Sequence, residues 1–237
     1  MEVQFAVAKV TKWATSESGD TLEMIERPHG GISMVLVDGQ RSGRSAKVIS
    51  NIVARKAVQL LSEGVRDGAA ARAAHDYLFT NRGGKVSATL NIISVDTQSR
   101  TLVISRNNEA PVLVHTAADG FTLLDEPSVA VGVHRHTKPV IAEIPVAVGT
   151  IVVAFTDGLR HAGTLSGKGA AYDPDAAFRR MVGEGIGDAH TICDRLLAEA
   201  LAMDDGRARD DISVMAIAVL ESGDGDEVRR LSGRLIL

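Results

Sequence analysis

The sequence has few aromatic residues and one cysteine, and it contains no long hydrophobic run and no long basic run. Aromatic residues make up 3% of the 237 residues, so the core has to be aliphatic and few rings are left to stack on nucleic-acid bases. The single cysteine, Cys193, excludes an intrachain disulfide and a cysteine-based zinc cluster. It lies in a predicted helix and is expected to be a buried structural thiol.

Charge and hydropathy narrow the classes of partner. The net charge is −4 and no basic stripe is present, so a nucleic-acid partner has no support. The apolar runs are too short to span a bilayer, and the first residues lack the basic and apolar regions of a signal peptide. We therefore expect a cytoplasmic protein with neither a nucleic-acid nor a membrane partner.

The order of predicted elements indicates an α+β domain with clustered helices, not a doubly wound parallel sheet. Short apolar runs bounded by turn residues predict strands at residues 4–8, 21–25, 34–37, 88–95, 101–105, 111–115, 138–144, 150–156 and 212–220. Helices are predicted at residues 45–63, 67–80, 175–182 and 190–203. Ser45 and Asp67 are expected to cap the first two helices. One domain is expected over residues 1–221, followed by a tail over 222–237 in which residues 231–237 form a short strand or are disordered.

Aspartates stand at the ends of several apolar strands. Asp38-Gly39 and Asp157-Gly158 each follow such a run, Asp210-Asp211 precedes another, and Asp20 precedes the strand at 21–25. Carboxylates gathered at one rim of a sheet repel one another and are stable chiefly around a cation. Oxygen ligands favour Mg²⁺ or Mn²⁺ over zinc or copper. Because Asp-Gly is also the commonest turn dipeptide, spacing alone leaves a metal site and a set of turns equally supported.

Four motifs in this order resemble the signatures of metal-dependent type 2C protein phosphatases. They are Ser18-Gly19-Asp20, Val37-Asp38-Gly39-Gln40-Arg41-Ser42-Gly43, Phe155-Thr156-Asp157-Gly158-Leu159 and Arg209-Asp210-Asp211-Ile212-Ser213. The resemblance covers nearly the whole chain and is greatest to the bacterial branch that includes stage II sporulation protein E. It implies an α-β-β-α sandwich of four layers, in which helices flank two central, mostly antiparallel sheets.

The same resemblance implies a centre of two Mn²⁺ or Mg²⁺ ions. Asp38 would bridge both ions, the Gly39 carbonyl and Asp20 would bind the first, and Asp157 and Asp210 would bind the second. Asp38 and Asp20 would thereby be the catalytic residues, since a metal-activated water would attack phosphorus in line. Asp211, where many relatives have asparagine, is expected to be an auxiliary residue.

The chain departs from the family pattern around the substrate. Arg41 to Arg44 replace the commoner Ser-Gly-His-Gly turn, and the Asn-Ala-Gly-His turn is reduced to Asn107-Asn108-Glu109-Ala110. Arg41 and Arg44 are candidates to hold the substrate phosphate by paired hydrogen bonds, and equally to be solvated residues that lead into the helix. None of these departures removes a predicted metal ligand.

The resemblance implies hydrolysis of phosphoserine or phosphothreonine on a regulatory protein, such as an anti-sigma-factor antagonist. A homo-oligomer is possible. Two alternatives stand beside it: a catalytically weak binding module with the phosphatase fold, and a hydrolase of small phosphate metabolites. Among other residues, Trp13 is expected in the core, the basic loop at 134–138 in solvent, and residues 163–171 in a flap beside the site.

Overall fold

The computed structural model describes residues 1–164, 170–223, 228–230 and 233. Most of the predicted flap, residues 165–169, lies outside the described residues. So does most of the predicted tail, residues 224–227, 231–232 and 234–237. The proposed boundary at residue 221 therefore stays a prediction.

Ten strands form two five-stranded antiparallel sheets. The first sheet has the order β1-β10-β9-β6-β7, and the second has the order β2-β3-β4-β5-β8. The strands are β1 (Glu2–Val10), β2 (Asp20–Glu26), β3 (Ile32–Gly39), β4 (Ala88–Asp96), β5 (Thr101–Asn107), β6 (Val112–Thr116), β7 (Gly120–Leu124), β8 (Val140–Pro145), β9 (Ile151–Phe155) and β10 (Ile212–Leu220).

Helices cover the outer face of each sheet. They are α1 (Gly43–Ser62), α2 (Asp67–Arg82), the short α3 (Gly158–His161), α4 (Pro174–Gly183) and α5 (Ala189–Met203), with a 3₁₀ turn at Pro28–Gly30. The α1–α2 pair packs on the second sheet, and α5 packs on β1 and β10 of the first. The predicted four-layer α-β-β-α architecture is therefore confirmed.

The alternation of side chains along β3 shows why the layers form. Met34 and Leu36 point into the aliphatic core between the two sheets. Val35 and Val37 point the other way, into the core beneath α1 and α2. Because successive side chains of a strand face opposite sides, one apolar run serves two cores, which is why it is apolar throughout.

The predicted strands and long helices all exist, with ends shifted by a few residues. Three elements were not predicted: β7, whose side chains are half-buried or exposed, α3, which has only four residues, and the 3₁₀ turn at Pro28–Gly30. Cys193 is buried in α5, as expected.

Both predicted helix caps are wrong. Arg66 precedes α2, and Asp67 is the first residue inside the helix. The Asp67 carboxylate accepts hydrogen bonds from Arg27 and from the Ser94 hydroxyl, which tie α2 to the second sheet. Ser42 precedes α1, and the Ser45 hydroxyl donates to the Ser42 carbonyl oxygen instead of capping a backbone N–H.

Candidate metal centre

Asp20 at the start of β2 lies opposite Asp38 near the end of β3. They are paired residues in the β2–β3 register. One carboxylate oxygen of Asp20, Oδ2, accepts hydrogen bonds from Thr156 Oγ1 at 3.1 Å and from Ser213 Oγ at 2.5 Å. The other oxygen, Oδ1, is buried and has no hydrogen-bond partner among the described residues. A buried acceptor without a donor is costly, and a bound cation would satisfy it.

Asp157, Asp210 and His161 form a second group beside this pair. One ligand atom from each of the three lies within 4.8 Å of the other two. His161 Nδ1 is 3.8 Å from Asp157 Oδ2. No role was predicted for His161 from the sequence. The signal was its position four residues after Asp157, which places it one helical turn beyond the residue that precedes α3.

A cleft of about 420 Å³ joins the two groups. It is lined by Lys12, Asp38, Gly39, Gln40, Arg41, Ser42, Ser87, Ala88, Thr89, Ala130, Asp157, Asp210 and Asp211. Of the two predicted phosphate-binding arginines, Arg41 lines the cleft, whereas Arg44 is exposed in the first turn of α1 and is not among the lining residues. The structure thus brings together all the aspartates that were selected from the sequence.

Crowding of these acids shifts their proton affinities. Burial, followed by the charges of Asp20 and Asp157, raises the pKa of Asp38 from 3.8 to about 9. Burial also raises the pKa of Asp20 and of Asp210. In each case the carboxylate is destabilised by lost hydration and by neighbouring negative charge, both of which a divalent cation would offset.

A family model described as stage II sporulation protein E matches residues 28–220, which is most of the chain. The chain belongs to the stage II sporulation protein E family. No curated protein matches it. None of the helices in the described ranges combines the length and hydrophobicity that a membrane span needs.

Solved structures agree on the fold. The PP2C phosphatase domain of SpoIIE from Bacillus subtilis, with a regulatory fragment, has a TM-score of 0.78 at 18% identity, over 94% of this chain and 64% of that one. The RsbU and RsbW domains of Rv1364c from Mycobacterium tuberculosis have a TM-score of 0.72 at 19% identity, over 92% of this chain and 60% of that one. The catalytic domain of the phosphatase PstP with two manganese ions has a TM-score of 0.68 at 13% identity, over 92% of this chain and 99% of that one.

This chain spans less than two thirds of the first two of these structures. The predicted family is confirmed, and the predicted enzyme class, a protein phosphatase, is the one that the solved phosphatase domains represent.

In this family member, Asp211 holds the loop that carries Asp20. Asp211 Oδ1 accepts from the backbone N–H of Lys12 at 2.9 Å, and Oδ2 accepts from that of Gly19 at 2.8 Å. Ser50 of α1 donates to the Gly19 carbonyl at 2.5 Å. The auxiliary role expected for Asp211 thus has a physical basis in these contacts, because its two oxygens fix the approach to Asp20.

We expect Asp211→Ala to lower the free energy of unfolding by about 1–3 kcal/mol, because the buried N–H of Gly19 and the half-buried N–H of Lys12 lose their acceptor. Manganese affinity should fall about 10–100-fold as Asp20 loses its support. Denaturant unfolding and calorimetric titration measure the two effects. Asp211→Asn restores one acceptor, so its free energy of unfolding and its manganese affinity should lie between those of the wild type and Asp211→Ala. Equal losses in Asp211→Asn and Asp211→Ala would contradict this account.

Two lysines stabilise the Asp20 backbone. Lys9 Nζ and Lys47 Nζ each donate to the Asp20 carbonyl oxygen at 2.7 Å. Lys47 also donates to Thr21 Oγ1 at 3.0 Å. Burial, and then the charge of Lys47, lowers the pKa of Lys9. The ammonium groups place positive charge behind the aspartates and link β1 and α1 to the same backbone atom.

Two glycines allow other backbones to approach the centre. A Cβ on Gly39 would lie 2.0 Å from the Ala46 carbonyl oxygen of α1, and a Cβ on Gly158 would lie 2.1 Å from that of Asp211. Neither has a positive φ, so close packing requires glycine at both positions.

We expect Gly39→Ala to destabilise the protein by about 3 kcal/mol or more, because α1 has to move away from β3. Urea unfolding measures this change. Gly187→Ala is the matched control, since a Cβ at Gly187 would have no atom within 4 Å and the φ of this glycine is not positive. Equal stabilities of the two variants would show that α1 does not pack against Gly39 as described.

Proposed function

We propose that this protein is a manganese- or magnesium-dependent protein serine/threonine phosphatase that acts on a phosphorylated regulatory protein. The observation that carries this proposal is the convergence of Asp38, Asp157 and Asp210 at one cleft, with Asp20 paired to Asp38 and one buried oxygen of Asp20 left without a donor. The membership of the stage II sporulation protein E family supports it.

The donor set fits two hard divalent cations. Asp38 would serve both ions, Asp20 and the Gly39 carbonyl would complete the first site, and Asp157 and Asp210 would hold the second. His161 is an additional candidate ligand for the second site. Carboxylates and a carbonyl suit Mg²⁺ and Mn²⁺, and an imidazole is better tolerated by Mn²⁺. The two manganese ions in the similar PstP structure are consistent with this assignment.

Bound divalent cations supply water that is nucleophilic near neutral pH and offset charge on the phosphoryl oxygens. The residues of the chain position that chemistry. Ser213 and Thr156 fix one oxygen of Asp20 and so direct the other toward the first site. Asp211 holds the Gly19 backbone, so that the Asp20 loop does not need to order when the ions bind.

Arg41 is proposed to bind the substrate phosphate. Its φ of 79° lies in the left-handed region, which costs a non-glycine residue about 1 kcal/mol or more. Strain at a cleft residue supports a role in function, because the surrounding structure has to maintain it. A guanidinium at this place can hold two phosphoryl oxygens at once.

We expect Arg41→Ala to raise the KM for a phosphoserine peptide about tenfold or more, because a charge-assisted pair of hydrogen bonds is lost. Steady-state kinetics with manganese measure the change. Arg44→Ala is the matched control, because Arg44 is exposed outside the cleft. The KM of this variant should match that of the wild type. An equal rise in both variants would indicate a general effect of positive charge.

The activity itself is tested by manganese-dependent hydrolysis of an aryl phosphate and of a phosphoserine peptide, in parallel with nucleotides and sugar phosphates. Turnover of the peptide above the metabolites supports the proposal. Preference for a metabolite would favour the small-molecule hydrolase, and metal binding without turnover would favour the binding module.

The finer proposal is that the partner is a phosphorylated anti-sigma-factor antagonist. It is supported by the likeness to the RsbU and RsbW domains of Rv1364c. A phosphorylated antagonist domain should be hydrolysed with a higher kcat/KM than phosphorylated casein; equal values would leave a phosphatase of broader specificity.

A further inference from the structure

The two proposed ion sites differ in how their ligands are held. Asp20 at the first site is buried, and its side chain is fixed by the hydroxyl groups described above. At the second site, Asp157 and His161 are exposed and Asp210 is half-buried. Exposed side chains gain little support from packing around them. The distances between these ligands therefore depend on how the chain segments that carry them are fixed.

Asp157 and His161 lie on one short segment, residues 157–163, which contains α3 and is called the α3 turn here. The N–H of His161 donates to the Asp157 carbonyl at 3.0 Å, and the N–H of Ala162 donates to the Gly158 carbonyl at 3.2 Å. Because these helical hydrogen bonds hold the segment together, a displacement of the α3 turn moves both candidate ligands.

Asp210 lies on a different segment, the loop at residues 204–211 that connects α5 to β10. The Trp13 N–H donates to the Ala208 carbonyl at 2.8 Å, and the guanidinium carbon of Arg207 lies 4.9 Å from the centre of the Trp13 ring. These contacts fix the loop to the connection between β1 and β2. The ring itself is 58% exposed, so the expectation that Trp13 packs in the core is wrong.

The carboxylate of Asp204 joins the two segments. Asp204 is 1% exposed, and each of its oxygens accepts one backbone N–H, Oδ1 from Gly163 at 2.8 Å and Oδ2 from Arg209 at 3.0 Å. Gly163 ends the α3 turn, two residues after His161. Arg209 directly precedes Asp210. One buried side chain therefore fixes the backbone on both sides of the second site.

Packing holds the other end of the α3 turn. A Cβ on Gly158 would lie 2.1 Å from the Asp211 carbonyl oxygen, so the turn begins in direct contact with the loop at 204–211. At Gly163 the φ is 86°, and a Cβ would lie 2.6 Å from the Ala170 carbonyl oxygen, so this position also requires glycine. Contacts at both ends set the position and the orientation of the α3 turn relative to the loop.

We infer that Asp204 is a positioning residue for the second ion site, whose carboxylate sets the separation of Asp157 and His161 from Asp210. The inference rests on the proposed phosphatase function and adds a residue that lies outside the set lining the cleft. Residues that orient metal ligands without touching the ion commonly change its affinity about 10–100-fold.

This role parallels that of the Asp211 side chain at the first site. Asp211 accepts from the N–H of Gly19, the residue before Asp20. Asp204 accepts from the residue before Asp210 in the same way. The two side chains should therefore support different ion sites.

Asp204→Ala should lower manganese affinity about 10–100-fold, because the α3 turn and the loop are no longer held together. Calorimetric titration measures the change. When Asp210→Asn has already removed a ligand of the second site, Asp204→Ala should alter the remaining affinity by less than about twofold. In the Asp20→Asn background, where the second site is intact, the full loss should appear. Asp211→Ala should show the reverse dependence on these two backgrounds.

Phosphatase turnover gives a second readout. Asp204→Ala should raise the manganese concentration for half-maximal turnover about 10–100-fold. Saturating manganese should restore turnover in this variant, because its defect lies in holding the ligands in place. Asp38→Asn lacks a ligand and should not be restored.

Asp67→Ala is the matched control for destabilisation. Asp67 is also buried, and its carboxylate accepts hydrogen bonds from Arg27 and Ser94. Ser94 lies five residues along β4 from Thr89, which lines the cleft, and this separation is about 17 Å in a strand. Urea unfolding should show that Asp67→Ala is destabilised at least as much as Asp204→Ala, since it leaves a buried arginine unpaired. Its manganese affinity should equal that of the wild type.

Equal losses of manganese affinity in Asp204→Ala and Asp67→Ala would indicate a general effect of destabilisation and would overturn the inference. Unchanged affinity in Asp204→Ala would overturn it as well. Manganese binding without turnover of any phosphate ester by the wild type would refute the proposed function alone, because the affinities would still decide the role of Asp204. A wild type that binds no manganese would refute both.

Discussion

Asp38→Asn is expected to reduce manganese-dependent phosphatase turnover by about a thousandfold or more, because several kcal/mol of transition-state stabilisation depend on the bound cations. Asp38 is the acid that faces both Asp20 across the β2–β3 pair and Asp157 and Asp210 across the cleft. An amide keeps the shape of the side chain but removes the negative charge that both proposed ion sites would share. The loss should therefore appear in kcat as well as in KM for the metal.

The control is another aspartate-to-asparagine change at an exposed position remote from the cleft. Asp194 lies on α5 and is exposed. Asp194→Asn should retain wild-type turnover, and calorimetric titration should show that only Asp38→Asn has lost manganese binding. Full activity of Asp38→Asn would refute the proposed centre, and binding retained without turnover would limit Asp38 to a role in catalysis after the ions are bound.

The sequence predicts the elements of this fold well because the local pattern and the global core agree. The run Met34 to Val37 is apolar throughout, and the structure uses both of its faces. Strand β7 escaped prediction because it lies at the edge of its sheet, where its exposed residues carry no clear alternation. The predicted cap at Asp67 failed because this residue contacts Arg27, 40 residues away along the chain.

In the candidate metal centre, the aspartates could be predicted from the sequence, whereas the contacts that position them could not. The aspartates are visible in the sequence because each stands beside a strand that is easy to predict. The contacts that organise them are not, since Asp211 reaches Gly19 across 192 residues of chain and Ser213 reaches Asp20 across 193. Such contacts join β10 of the first sheet to the start of β2 in the second, and no local pattern encodes how two sheets pack. Trp13 was misplaced for the same reason, because its exposure depends on the loop at 204–211.

The metal-free protein is expected to lose stability as the pH rises from about 4 to about 9. The pKa of Asp38 is raised from 3.8 to about 9, so over this interval the carboxyl stays protonated in the folded state and ionises in the unfolded state. Unfolding then releases a proton and becomes easier at higher pH, by up to about 1.4 kcal/mol per pH unit for one group. Below this interval both states are protonated, and the stabilising effect is fully present.

Manganese should reverse this trend, because it binds the ionised carboxylates and so stabilises the folded state more as the pH rises. Urea unfolding at a series of pH values, with manganese and with a chelator, measures both slopes. Metal-free Asp38→Asn should show a shallower fall and, at pH near 8, should exceed the metal-free wild type in stability by about 2 kcal/mol or more, because a buried carboxylate no longer has to ionise or hold its proton. A residual slope is expected, since the pKa of Asp20 and of Asp210 is also raised. Parallel slopes for the two metal-free proteins would show that Asp38 is not the group that links proton binding to folding, and the same carboxylate would then be a poor candidate for the ligand that both ions share.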